Sequence, residues 1–345
     1  MYQYLILRNP GHNRVYYEQA EKMALAELKI CSGKVSDQLR EMQSIEIAGI
    51  SYLTFKCTQK LSQKDLALIS RLSFFFALFQ MDGEFLKPIA QESYFAIPSK
   101  ISGILKYPGK TNEIFTKMMV NVAAMSTSFS SEETIRLLDP VSGRGTTLFE
   151  SLVYGYYSYG VELDHKSVHE SMVFMKRFLK NERYKHQKSQ RQVYGRNKSE
   201  AVIIDELEFA ADKMDFKADK RMKFGVVHGD ARLADKYYQK KSFHLVVGDL
   251  PYGIAHGNTT QRSQKGSNTR NPIGFLEQAI PAWFNLLKDE GAICLAWNSF
   301  VLKKEKIIEL LQNTGLTVLL SEPYLQFEHR VDQAIKRDII VAVKK

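Results

Sequence analysis

The chain has 345 residues, of which 44% are hydrophobic and 25% charged, with a net charge of +10 and a pI near 9.2. That length allows two domains, and the ordinary composition excludes a disordered or fibrous chain. The positive excess favours a polyanionic partner, most often nucleic acid. The three cysteines, Cys31, Cys57 and Cys294, have no CxxC or Cys/His spacing. This excludes a disulfide framework and a zinc site, predicts no metal, and fits a reducing cytoplasm. The opening Met1–Leu7 run is interrupted by Arg8, too soon for a signal peptide. No apolar run approaches the about 18 residues of a membrane span.

Residues 1–95 read as a small α+β domain, a candidate RNA-binding module. Tyr2–Leu7 is a predicted strand, Tyr16–Ile30 a helix with apolar residues at helical spacing, and Glu46–Phe55 a strand pair broken at Gly49. Lys64–Phe79 reads as a second amphipathic helix whose Phe cluster enters the core. Residues 96–110 read as a linker, and 111–345 as a second domain opening with a helix over Thr111–Met125. From Ile135 onward the pattern repeats apolar run, turn and helix. The runs are Ile135–Leu138, Tyr156–Val161, Gly225–His228, His244–Val247 and Ala292–Trp297. Predicted helices lie at Thr147–Val153, Ser167–Leu179, Phe275–Leu287 and Lys303–Gln312. This alternation predicts a mostly parallel sheet covered on both faces. Leu316–Glu322 and Asp338–Val343 read as an antiparallel pair at its edge.

Residues 181–222 interrupt the rhythm with a charged insertion. Just ahead of it and in its first part stand Lys176, Arg177, Lys180, Arg183, Lys185, Lys188, Arg191, Arg196 and Lys198, which suit either a solvated face or a phosphate-binding surface. Asp205–Phe216 reads as a helix.

Asp139-Pro140-Val141-Ser142-Gly143-Arg144-Gly145-Thr146-Thr147 ends the first strand and opens a helix. Glycines there let the backbone turn and approach a ligand, and the helix start presents N–H groups. A dinucleotide loop wants a third glycine, where this chain has Leu148. Asp139 instead offers a carboxylate to a cationic ligand, and S-adenosylmethionine carries an ammonium, a sulfonium and no phosphate. Glu162, at the next strand end, is placed to take two ribose hydroxyls, with Asp164 as N-cap of the following helix. Asp230, after Val227-His228-Gly229, is placed to accept from an adenine amine, with the Ala231 N–H facing a ring nitrogen. Asp249-Leu250-Pro251-Tyr252 ends the fourth apolar strand. Its carboxylate and a carbonyl of Leu250 or Pro251 suit an exocyclic base amine, and Tyr252 suits stacking on the base. Taken alone, each is also an ordinary turn sequence; their order along one sheet edge favours a site. The stretch 253–272, with Arg262, Lys265, Arg270 and His256, suits a lid over a phosphate-bearing substrate or a plain loop.

These motifs, together with Tyr107-Pro108-Gly109, Met118–Ala123 and Arg330-Val331 through Arg337-Asp338-Ile339, resemble class I S-adenosylmethionine-dependent methyltransferases of the THUMP-associated tRNA guanine-N2 (UPF0020-like) family, over roughly residues 105–345. The resemblance implies a Rossmann-like, seven-stranded, mostly parallel sheet with an antiparallel last strand. It implies Asp139, Gly143 and Glu162 as cofactor-binding, Asp230 as adenine-binding, and Asp249, Pro251 and Tyr252 as catalytic. Pro140, Ser142, Gly145, Thr146, Thr147, Leu163 and Ala231 complete the expected cofactor set, which Asp249 also borders. The expected activity is methylation of guanine N2 in tRNA. The alternatives are a DNA adenine or cytosine amino-methyltransferase and a non-catalytic RNA-binding protein that kept the fold. Three departures stand out. Arg144 brings a guanidinium to a loop expected to hold a cation, Leu250 stands where many relatives have Pro, and residues 1–95 are too short for a full THUMP module.

Overall fold

The computed structural model describes residues 1–9, 14–91, 93–105, 110–129, 133–194, 201–250 and 272–345. Its first unit comprises β1 (Tyr2–Arg8), α1 (Arg14–Ser32), β2 (Arg40–Ile47), β3 (Ile50–Cys57), α2 (Gln63–Ser70), β4 (Phe75–Asp82) and β5 (Phe85–Ile89). The strands form one antiparallel sheet in the order β2-β3-β1-β4-β5. The helix predicted over Lys64–Phe79 is a correction. The helix stops at Ser70, and Phe75–Asp82 is a strand paired with β1. Aromatic residues gain more from packing on a sheet than from a helix surface. Phe74 and Phe75 are buried, while Phe76 is 57% exposed.

The chain continues through α3 (Ile101–Ile104) and α4 (Glu113–Met125). Within the predicted linker, Ile97 and Ile101 are buried. The first unit rests on α4 through polar contacts: Asn121 Nδ2 donates to Glu27 Oε1 (2.8 Å) and to the Arg71 carbonyl (2.6 Å). Arg71 also donates to the Tyr156 hydroxyl and lies over the Tyr154 ring.

The second sheet follows as β6 (Arg136–Asp139), α5 (Thr146–Val153), β7 (Tyr157–Glu162), α6 (His165–Asn181), β8 (Lys185–Tyr194), β9 (Ala201–Ala210), α7 (Lys213–Lys217), β10 (Met222–His228), α8 (Ala234–Tyr237), β11 (Phe243–Asp249), α9 (Ile273–Leu286), β12 (Leu287–Asn298), α10 (Lys304–Asn313), β13 (Thr317–Val318), β14 (His329–Arg330) and β15 (Lys336–Val343). Its order is β13-β15-β12-β11-β6-β7-β10-β9-β8, with β14 paired to β15. The five strands β10, β7, β6, β11 and β12 run parallel, and β15 is antiparallel to β12. The expected seven-stranded sheet is therefore present, from β10 to β13, and β8, β9 and β14 extend it.

Asp205–Phe216 is a second correction. Its first half belongs to β9, because Ile204, Leu207 and Phe209 bury against the sheet, and only Lys213–Lys217 is helical. Of the predicted Leu316–Glu322 strand, only Thr317–Val318 pairs. The middles of the parallel strands are buried, as a sheet covered on both faces requires, and Trp297 of β12 and Trp283 of α9 are both buried. Chain order reverses between β6 and β11. In such sheets ligands bind in the crevice at that reversal, outside the carboxyl ends of the strands. Among the described residues no helix is long and apolar enough to cross a membrane.

Candidate active site

The carboxyl ends of β6 and β11 flank the reversal with Asp139 and Asp249. Asp139 is 2% exposed, and its Oδ1 accepts from the Val141 N–H (3.0 Å). Beyond it, Pro140 and Ser142 are buried, and the Ser142 N–H donates to the Val161 carbonyl of β7 (3.0 Å), which folds the loop over the neighbouring strand. Gly145 then takes φ +94°, and a Cβ there would stand 2.9 Å from Ser171 Oγ and 3.2 Å from the Phe149 ring. Only glycine fits. Gly145 is the N-cap, with no side-chain hydrogen bond capping α5, and Thr146 and Thr147 open the helix. Arg144 turns to Glu170 of α6 (2.9 Å), so its charge is countered rather than directed at a cationic ligand.

Burial raises the Asp139 pKa to about 7. Hydrogen bonds from the Val141 N–H and the Thr147 side chain oppose the shift, and the Asp249 and Glu162 charges add to it. The Asp249 and Glu162 carboxylates thus both lie close enough to act on Asp139. Register agrees: Asp139 pairs with Gly160, and His228 with Glu162. Val246 pairs with Leu138, which puts Asp249 about 7 Å further out than Asp139 at the usual rise per residue.

Glu162 braces this edge. Its Oε2 accepts from the Gly143 N–H (2.8 Å) and its Oε1 from the Asp164 N–H (2.7 Å). Asp164 caps α6, accepting from the Lys166 and Ser167 N–H groups, in the role expected for it. Leu163 is 45% exposed at the lip. On β10's side, a Cβ on Gly229 would overlap the Tyr237 ring at 2.7 Å, and the Tyr237 hydroxyl accepts from the Asp230 N–H. Asp230 receives Arg232 on both oxygens and caps the short 3₁₀ turn Ala231–Leu233. Trp283 Nε1 donates to the Ala231 carbonyl (3.0 Å). A buried indole therefore fixes the position of that backbone.

Asp249 ends β11. Its Oδ2 accepts from Thr111 Oγ1 (2.5 Å) and lies 3.5 Å from an Arg337 guanidinium nitrogen. Arg337 is itself buried and stacks 4.9 Å from the Phe115 ring centroid, beside His329. Burial pushes the Asp249 pKa up, and Arg337, the Thr111 bond and His329 pull it down. Thr111 carried no sequence signal as a site residue, and Arg337 entered only through the resemblance of the closing segment. A charged residue at the head of the apolar run Ile339–Val343 was its one local sign. Leu250 is 1% exposed, and its N–H donates to the Ala296 carbonyl (2.8 Å), a bond that a proline there could not make. Pro251, Tyr252 and the expected lid with His256, Arg262, Lys265 and Arg270 lie outside the described residues. Among the described residues no cluster of His, Cys, Asp or Glu is arranged to hold a metal.

Residues 108–265 match the family model of the UPF0020, RMKL-like, methyltransferase domain. No curated protein matches the chain. Among solved structures, a putative RNA methyltransferase from Pyrococcus horikoshii is similar at 14% identity and TM-score 0.39, over 71% of this chain and 96% of that one. A TehB-like S-adenosylmethionine-dependent methyltransferase from Corynebacterium glutamicum is similar at 14% identity and TM-score 0.33, over 68% and 97%. A putative methyltransferase from Streptococcus mutans, solved with S-adenosylhomocysteine, is similar at 11% identity and TM-score 0.35, over 62% and 90%. The matched segment is similar to a UPF0020, RMKL-like methyltransferase domain, the sheet order is the one expected for a class I methyltransferase fold, and the cofactor expected there is S-adenosylmethionine. The site suits that ligand: carboxylates for an ammonium and a ribose, and glycines where backbone must approach closely.

Proposed function

We propose that this chain methylates an exocyclic base amine in RNA, with guanine N2 of tRNA as the target, and that tRNA is its partner. The observation that carries the reading is Asp249: a half-buried carboxylate at the end of β11, held by Thr111 and Arg337, and close enough to Asp139 to raise its pKa. S-adenosylmethionine supplies a sulfonium-bound methyl group when bound. Asp139 receives its ammonium, Glu162 its ribose hydroxyls, and the Asp230–Ala231 turn its adenine edge. Pro140, Ser142, Gly143, Gly145, Thr146 and Thr147 shape the loop around it, and Leu163 covers the lip. Asp249 accepts a hydrogen bond from the base amine, and a carbonyl of Leu250 or Pro251 accepts the other. These bonds favour a pyramidal nitrogen and stabilise the positive charge that develops on it. Tyr252 stacks on the base and keeps the lone pair aimed, which turns an encounter into a fixed geometry. The nitrogen's proton leaves to Asp249 or to water.

Mass spectrometry of nucleosides from cellular RNA, with and without this protein, tests the reading: N2-methylguanine disappears from the tRNA fraction of the deletion strain. Loss of a methylated DNA base instead would support the DNA amino-methyltransferase. Two features, Arg144 and Leu250, favour a non-catalytic protein, and the Arg144–Glu170 pair weakens the first of them.

Asp139 makes cofactor affinity depend on pH. With a pKa raised to about 7, the empty protein holds this carboxyl half-protonated at neutrality, whereas a bound ammonium requires the carboxylate. Affinity for S-adenosylhomocysteine therefore rises by about tenfold between pH 6 and pH 8, with proton release on binding, as calorimetry in two buffers would record. Because the folded pKa lies above the unfolded value, the native state binds the proton more tightly. The ligand-free protein accordingly loses stability as pH climbs from about 4 through 7.

Arg337 gives a second pH signature. It lowers the Asp249 pKa, so R337Q moves the acid limb of the kcat/KM profile to higher pH while leaving cofactor affinity unchanged. R337K keeps the charge and restores part of the profile. An acid limb that stays in place in R337Q would separate Arg337 from Asp249's ionisation.

A further inference from the structure

The helix α6 starts where Glu162 ends β7 and runs away from the crevice. On it, Lys166, His169, Val173, Lys176, Arg177 and Lys180 are all exposed. At about 100° per residue these positions fall within roughly 100° of one another around the helix. Lys166 to Lys180 spans about 21 Å of helix axis, and the exposed Arg183 and Lys185 continue the line beyond its end. Among the described residues none of Lys166, Lys176, Arg177, Lys180, Arg183 and Lys185 forms an ion pair. The nearby acids are engaged elsewhere: Glu170 pairs with Arg144 and Glu182 with Lys100. Asp164 caps the helix, accepting from the Lys166 and Ser167 N–H groups, and forms no ion pair with the Lys166 ammonium.

The adjoining hairpin behaves differently. Lys188 pairs with Asp205, Arg191 with Glu206 (3.8 Å), Arg221 with Glu208 (2.8 Å) and Lys223 with Glu208 (3.0 Å). The basic segment therefore divides into a neutralised sheet edge and an uncompensated helix face. The helix dipole accounts for cations in the last turn of α6, but it opposes Lys166 in the first, where a cation is unfavourable by about 0.3–1 kcal/mol. A line of positive charge kept against that cost, and left without carboxylate partners, suits an extended polyanion.

We propose that the exposed face of α6 is an RNA-docking track, on which Lys166, Lys176, Arg177 and Lys180 meet successive backbone phosphates while the target base reaches Asp249. The proposal rests on the RNA reading above and adds where the RNA lies. Phosphate contacts of this kind position a strand without reading its sequence.

The test measures methyl transfer to the small-RNA fraction of a strain lacking this gene, with KCl varied from about 50 to 300 mM. Wild-type transfer at low salt tests the RNA reading itself. For the quadruple variant K166Q/K176Q/R177Q/K180Q, KM for RNA rises at least tenfold. The slope of log(1/KM) against log[KCl] becomes shallower by about 3 units, as loss of four phosphate contacts to a single strand requires. Saturated kcat and the S-adenosylhomocysteine Kd stay at wild-type values. The charge-conserving variant K166R/K176R/R177K/K180R keeps the wild-type slope. Wild-type transfer with an unchanged slope in the quadruple Gln variant overturns the track and leaves the function standing, and so does a loss confined to kcat or cofactor binding. No wild-type transfer to RNA overturns both.

Discussion

Replacing Asp249 by Ala lowers kcat for methyl transfer by at least about 10²- to 10³-fold, the usual cost of removing one group that stabilises developing charge in a buried site. Cofactor affinity stays within about twofold, because Asp139 and Glu162, not Asp249, are assigned to the cofactor's charged and hydroxyl groups. Asp249→Asn separates two contributions. The amide oxygen still accepts one hydrogen bond but carries no charge, so it retains some orientation of the amine and loses the electrostatic stabilisation. Its activity falls between wild type and the Ala variant. Both effects require a carboxylate shielded from water, and this one has 15% side-chain exposure. Arg337 and Thr111 hold the same oxygen of Asp249 and fix the orientation of its carboxylate. Single-turnover rates with saturating RNA and cofactor check the prediction. A D249A enzyme that turns over at the wild-type rate would remove this residue from the chemistry.

Much of the sheet could be read from the sequence because its strands are buried on both faces. Burial forces apolar runs such as Leu245–Val247, and the acids that end them interrupt the pattern visibly. Asp139, Glu162, Asp230 and Asp249 were legible for that reason, and the structure sets all four at the carboxyl ends of neighbouring parallel strands. Misreadings arose where local composition and tertiary pairing disagree. Phe75–Asp82 has the greasy density of a buried helix, yet it pairs with β1. Glu206 and Glu208 lend Asp205–Phe216 a helical look, yet they face the cations of neighbouring strands. Thr111 was invisible because a threonine ahead of a helix has no chemistry of its own. It matters only because α4 delivers its hydroxyl to a carboxylate 138 positions away in the chain. Whether Arg144 faces a ligand or a partner was likewise beyond local pattern, since Glu170 reaches it from a different element.

Replacing Glu162 by Ala weakens S-adenosylhomocysteine binding by about 10- to 100-fold, the range expected when hydrogen bonds to a charged group are lost. The structure adds a qualification that separates ligand contact from scaffold. Glu162 already accepts from the Gly143 and Asp164 N–H groups, so the Ala variant also releases the cofactor loop and the entrance to α6. If bracing alone mattered, Glu162→Gln would behave much like Ala, because an amide offers only one acceptor oxygen to those two donors. If the carboxylate also takes ribose hydroxyls, affinity falls in the order Glu, Gln, Ala. Adenine, which lacks the ribose, would then lose far less affinity than S-adenosylhomocysteine in the same variants. Calorimetry on the three proteins with both ligands decides. Equal losses for adenine and S-adenosylhomocysteine would assign Glu162 to the loop rather than to the ligand, whereas a loss specific to the nucleoside places its carboxylate on the ribose.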